Sequence, residues 1–196
     1  MMKKVIFILL FLVGINSSKA NILINPDFTI GADGLDFWYG FALNAGPVDP
    51  ALFVTANTNN GSATVSGYNN GGNEVAFYTE LGENALASGT YLWQATISNI
   101  GDTSAEMFIK VFNPGYAFVG SEYQHVDLSA GVMSLTFTHS SSNIVQFGFS
   151  GFSTTQGYGV SDLSVTVVPE PSTIALSACA LASIIAMRMR KKAVRA

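Results

Sequence analysis

Side chains able to do acid–base chemistry are few in this chain. In Gln124-His125-Val126-Asp127 an imidazole and a carboxylate fall on one side of an extended backbone, the spacing at which an aspartate can orient a histidine. No Gly-x-Ser-x-Gly elbow supplies a nucleophile for such a pair. His139 closes a strand-like run before three serines and reads as a solvated turn residue. Glu80 and Glu83 are near neighbours, yet nothing in the sequence fixes the carboxyl separation that a glycosidase needs. There is no two-histidine metal motif, and the single cysteine, Cys179, lies in an apolar stretch near the C-terminus. These residues point away from an enzyme and give no cofactor to expect.

Binding has a better candidate. In Glu106-Met107-Phe108-Ile109-Lys110-Val111-Phe112, the residues Met107, Ile109 and Val111 share a core face. That leaves Phe108 and Phe112 on the opposite face beside Lys110, where exposed rings would form a platform for sugars. A strand covered on both faces gives the same pattern. Trp38 and Trp93 read as core, whereas Tyr116, Phe118, Tyr123 and Tyr158 have no assigned place.

Charge excludes one class of partner. Between Asn21 and Val167 the only cation is Lys110, against twelve carboxylates, a formal net charge of −11. Nucleic acids and anionic surfaces are bound by clustered Lys and Arg that displace counterions, and this stretch has no such cluster.

Strands must position these residues. Tyr91, Trp93, Ala95 and Ile97 alternate with polar partners, as do Met133, Leu135 and Phe137, then Val145, Phe147 and Phe149, then Leu163, Val165 and Val167. Such period-two runs are half-buried antiparallel strands. Between them recur Gly, Asn, Asp and Ser clusters, and Asn60-Gly61 predicts a hairpin whose turn has positive φ at both central residues. Asn60-Gly61-Ser62 also spells a glycosylation acceptor. No capped helical period appears in this region. The expected body, residues 21–167, is one all-β domain: an antiparallel β-sandwich of jelly-roll type, folded without a disulfide.

Asn21 to Trp38, NILINPDFTIGADGLDFW, resembles the opening of galactose-binding-like and family-4/9-type carbohydrate-binding sandwiches, and GVSDLSVTVV resembles their closing strand. The resemblance implies adjacent first and last strands and a structural calcium between them, with Asp27 and Asp162 at the matching positions. Thr29 and Ser161 depart from the acidic residues of that pattern. Two carboxylates fall short of the six to eight oxygens that calcium takes. An Asp at a turn and another at a strand start account for both residues without a metal.

The termini carry export signals. Lys3 and Lys4, the apolar run from Val5 to Ile15 and the close on Ser18-Lys19-Ala20 make residues 1–20 a cleavable signal peptide, a substrate for signal peptidase. At the other end Pro169-Glu170-Pro171 holds an extended backbone ahead of an uncharged, mostly apolar stretch, about 172–187, followed by Arg188, Arg190, Lys191 and Lys192. A helix over that stretch reaches about 24 Å, short of a bilayer core of about 30 Å. The cations orient it with the body outside. Residues 168–196 resemble the PEP-CTERM sorting signal of Gram-negative bacteria. That resemblance implies one C-terminal transmembrane helix as a transient inner-membrane tether, recognition by an exosortase-type membrane protease, and transfer to the cell surface or an exopolysaccharide matrix. The functional expectation is a non-enzymatic matrix or surface protein, with extracellular polysaccharide as a candidate partner. The rival is a structural adhesin or coat component anchored permanently by that helix.

Overall fold

Alternation by two residues becomes eleven strands among the described residues, which in this computed structural model are 21–67, 74–101, 104–139, 142–152 and 157–168. Residues 1–20, expected as a signal peptide, and the Pro169-Glu170-Pro171 motif with the apolar stretch and cations that follow it lie outside them. In chain order the strands are β1 (Trp38–Ala42), β2 (Gly46–Val48), β3 (Val54–Asn57), β4 (Ser62–Val65), β5 (Glu74–Leu81) and β6 (Gly89–Ser98). They continue as β7 (Glu106–Phe112), β8 (Gln124–Asp127), β9 (Gly131–His139), β10 (Ile144–Phe152) and β11 (Tyr158–Val168). A six-stranded sheet in the order β2-β1-β5-β10-β7-β8 faces a five-stranded sheet in the order β3-β4-β11-β6-β9, and every pairing is antiparallel. The expected all-β sandwich forms. Among the described residues no helix is long and apolar enough to cross a membrane.

The inner faces follow the parity read from the sequence. Trp93, Phe147, Phe149, Ile109 and Val165 are fully buried, and Trp93 meets Phe147 edge-on at 5.6 Å between ring centroids. Each such aliphatic or aromatic side chain stabilises the fold by about 1.5–3 kcal/mol through burial. A second aromatic stack joins Phe28, Trp38 and Phe77, with Trp38 and Phe77 4.5 Å apart.

Four expectations are corrected. Val167 is exposed rather than inward, at the end of β11. Before it, a bulge between Ser161 and Ser164 inserts a residue, with Asp162 at φ 52°, so that Tyr158 and Val160 and then Leu163 and Val165 all face the core. The β3–β4 hairpin forms, but residues 58–61 are its loop, and of Asn60 and Gly61 only Gly61 has positive φ. His139 is buried, because it continues the inward row of Met133 and Phe137 opposite Gly89. Finally, Asn21 to Asn25 is not a strand. It runs beside β11 all the same: Ile22 N donates to Val165 O, and the Asn21 amide spans Leu163 O and Val165 N.

Asn25 organises the segment that follows. Its side-chain amide donates to Gly34 O at 3.0 Å and Asp36 O at 2.9 Å, while its Oδ1 accepts from Thr29 N at 2.7 Å and Ile30 N at 3.0 Å. Its own carbonyl receives the Trp38 indole N–H at 3.0 Å. The irregular chain thereby satisfies its backbone groups through one buried asparagine, and Trp38 is fixed at the start of β1.

Candidate ligand-binding groove

Strand register assembles a site on the outer face of the six-stranded sheet. Tyr39, Tyr78, Gly148, Phe108 and His125 stand opposite one another on five neighbouring strands, and Glu80, Gln146 and Lys110 form the next row. Gly148 leaves a gap at the centre. A Cβ there would lie 2.5 Å from Tyr78 Cβ and 2.7 Å from Phe108 Cζ, so the two rings close over the strand only because this residue has no side chain. The β1–β2 hairpin raises one wall with Pro47 and Val48, and the loop after β7 brings Tyr116 to the other side. An open groove of about 690 Å³ results.

Its polar centre is tied down. Tyr116, at φ 57°, is held by a turn in which Asn113 Oδ1 accepts from Gly115 N and Ala117 N. From there the Tyr116 hydroxyl donates to Glu80 Oε1 at 2.9 Å, and Gln146 Nε2 donates to Glu80 Oε2 at 2.8 Å. The hydrogen bond to Glu80 raises the Tyr116 phenol above its ordinary range, and burial, then the Glu80 charge, raises Tyr78. Lys110 Nζ sits 4.3 Å over the Phe108 ring and 3.6 Å from Glu74 Oε1. Lys110, the one cation among the described residues, is therefore already paired.

Phe108 and Phe112 do share the outward row, and both line the groove, but they differ in depth. Phe108 is fully buried beneath Lys110 and beside Gly148, so it is floor and presents no stacking face. Phe112 is half-buried and packs on Tyr116 and Phe118. Among the described residues the exposed Phe and Tyr rings are Phe37, Tyr39, Phe41, Tyr116 and Phe118, of which Tyr39, Phe41 and Tyr116 line the groove. Tyr39 and Phe41 were legible only as the polar-side parity of β1, because Trp38, Gly40 and Ala42 point inward.

The histidine–aspartate spacing leads elsewhere. The His125 imidazole is held by Glu106 of β7, Nδ1 to Oε2 at 2.7 Å, and not by Asp127. Glu106 Oε1 also accepts from the Tyr123 hydroxyl at 2.5 Å and from Ser150 Oγ at 3.1 Å. Burial, with this hydrogen bond and the Glu106 charge, pushes the Tyr123 phenol far up. Ser150 donates to the carboxylate rather than to the imidazole, so the cluster holds strands β7, β8 and β10 together and offers no activated nucleophile.

Asp27 and Asp162 are both exposed and bonded locally, Asp27 accepting from Thr29 Oγ1 and Asp162 from Ser161 Oγ. Among the described residues no three His, Cys, Asp or Glu side chains converge as a metal site. Calcium takes six to eight oxygens, backbone carbonyls among them, so these two locally bonded carboxylates would supply only part of such a set. Millimolar calcium is expected to shift the melting temperature no further than a sodium control of equal ionic strength. A larger shift, abolished in Asp162→Ala, would establish a site here.

No family model matches the chain, and no curated protein matches it in sequence. Among solved structures, the enzymatically active domain of tailspike protein 4 from bacteriophage CBA120 is similar with a TM-score of 0.56 at 12% identity, over 76% of this chain and 21% of that one. The chain thus spans about a fifth of that protein's length, and the likeness is one of fold. TmCBM61 in complex with beta-1,4-galactotriose has a TM-score of 0.48 at 14% identity over 76% of this chain and 99% of that one. A CBM4 structure has a TM-score of 0.46 at 18% identity over 74% and 99%.

Proposed function

We propose that the sandwich is a non-catalytic module that binds neutral polysaccharide in this groove, and that it is exported and sorted to the cell surface or extracellular matrix. The observation that carries the reading is the groove itself: exposed Tyr39, Phe41 and Tyr116 around a polar row of Glu80 and Gln146. Pyranose rings present apolar C–H faces to aromatic rings and hydroxyls to carboxylates and amides, and this lining offers both. The body's net charge of −11, with Lys110 held by Glu74, repels uronate-bearing or sulfated chains.

Affinity electrophoresis of the exported protein through gels containing xylan, mixed-linkage β-glucan or galactan tests the reading, with polygalacturonate as the anionic comparison. Retardation by at least one neutral gel and none by polygalacturonate is expected. Tyr39→Ala and Tyr116→Ala, both at exposed positions, should each weaken binding roughly three- to tenfold. No retardation in any neutral gel would favour the structural adhesin or coat component instead.

The sorting half rests on the Pro169-Glu170-Pro171 tail and has its own test. The protein recovered from outside the cell should begin at Asn21 and lack the segment from Ser172 onward, as signal peptidase and an exosortase-type protease would leave it. Intact mass spectrometry reads both ends. A chain still ending in Ala196 would mean permanent anchorage.

A further inference from the structure

Among the described residues four strands form the edges of the two sheets: β2 and β8 in one, β3 and β9 in the other. Exposed edges invite pairing with further strands, and proteins block them by shortness, proline or charge. β2 has three residues including Pro47, β3 has four, and β8 has four ending on Asp127. β9 has nine residues, Gly131–His139, with no proline and no Asp, Glu, Lys or Arg. A cleft of about 270 Å³ separates Thr136, Phe137 and Thr138 from Val111 and Gln124 of the other sheet and from Ser121, so that β8 and the segment before it do not pack tightly on this end of β9. Leu135 and Val132 remain partly or largely exposed on it.

From these features we infer that β9 pairs antiparallel with β9 of a second copy of this chain, with Leu135 opposite Leu135 across a two-fold axis. The strand is self-complementary about that residue. In this register Met133 meets Phe137 on the core side, and on the outer side Ser134 meets Thr136 and Val132 meets Thr138. Met133 and Phe137 then pair apolar with apolar, Ser134 and Thr136 pair hydroxyl with hydroxyl, and Val132 meets the β-branched Thr138, cross-strand pairs of the kind found in antiparallel sheets. The absence of charge along the strand removes the local repulsion that the acidic body would otherwise impose. A two-fold contact of this kind closes on itself and yields a dimer with one continuous ten-stranded sheet, two copies of the five-stranded one.

Sedimentation equilibrium of the full chain in density-matched detergent tests this. The native chain should have twice the monomer mass. Ser134→Lys/Thr136→Lys places like charges opposite one another and should give the monomer mass. Ser134→Glu/Thr136→Lys places opposite charges opposite one another in the same register and should restore the dimer. Added lysines reduce the long-range repulsion between acidic bodies, so a loss of dimer in the first variant reports local pairing. Circular dichroism should be unchanged in both variants, because Ser134 and Thr136 point to solvent. A monomeric native chain, a dimer that survives Ser134→Lys/Thr136→Lys, or a monomeric Ser134→Glu/Thr136→Lys would each overturn the proposal.

Discussion

Asn25→Ala should lower the stability of the sandwich by about 3–5 kcal/mol, a fall in melting temperature of about 10 °C or more. Two effects add. The backbone at Asn25 has φ 55°, a left-handed conformation that asparagine tolerates and alanine resists. The side chain also satisfies Thr29 N, Ile30 N, Gly34 O and Asp36 O, and the residue is buried, so its removal strands polar groups where water reaches poorly. Asn25→Gly separates the two, because glycine accepts the backbone angle and loses only the hydrogen bonds. It should retain about 1 kcal/mol more stability than Asn25→Ala. Asn25→Asp keeps the acceptor but turns an amide donor into a carboxylate facing carbonyl oxygens, and it should be as damaging as Ala at neutral pH. Thermal melts of the three variants decide this. A loss below about 1 kcal/mol in Asn25→Ala would mean that the segment from Asn25 to Asp36 does not depend on this residue.

Gly148→Ala should cost about 2–3 kcal/mol and abolish groove binding together. The new Cβ would meet the Phe77 carbonyl oxygen at 2.6 Å as well as Tyr78 Cβ at 2.5 Å, so backbone as well as side chain must move. Yielding at Tyr78 or Phe108 lifts the floor between the walls of the groove. Pairing the change with Phe108→Leu relieves the contact with the ring but not the one with the carbonyl, so less than half the loss should return. Gly82→Ala is the control: a Cβ there meets nothing within 4 Å, and stability should be unchanged or slightly raised. If Gly148→Ala melts like the native protein, the close packing at the groove floor is wrong.

The two sheets were legible because alternation is a property of the extended backbone itself. Tyr91, Trp93, Ala95 and Ile97 point inward for no reason beyond their parity, and the same parity already placed His139 in the row of Met133 and Phe137. It was misread from the serines that follow it. The β11 bulge had a signal too, since Val160 and Leu163 are three residues apart and cannot share a face in an unbroken strand. Asn21 and the closing strand did come together.

The groove was not legible in the same way. The sequence put Phe108, Lys110 and Phe112 on one outward face, and they are there. It could not say that Gly148 on β10 and Tyr78 on β5 would bury Phe108, or that Tyr116 would reach across β10 to Glu80. Likewise the partner of His125 is Glu106 on the adjacent strand, nineteen positions away, rather than Asp127 two positions on. Which face a side chain takes is set by its own backbone, within two residues. How deeply it lies on that face, and which polar group it meets, depends on strands brought alongside from tens of residues away, and only the folded register supplies that.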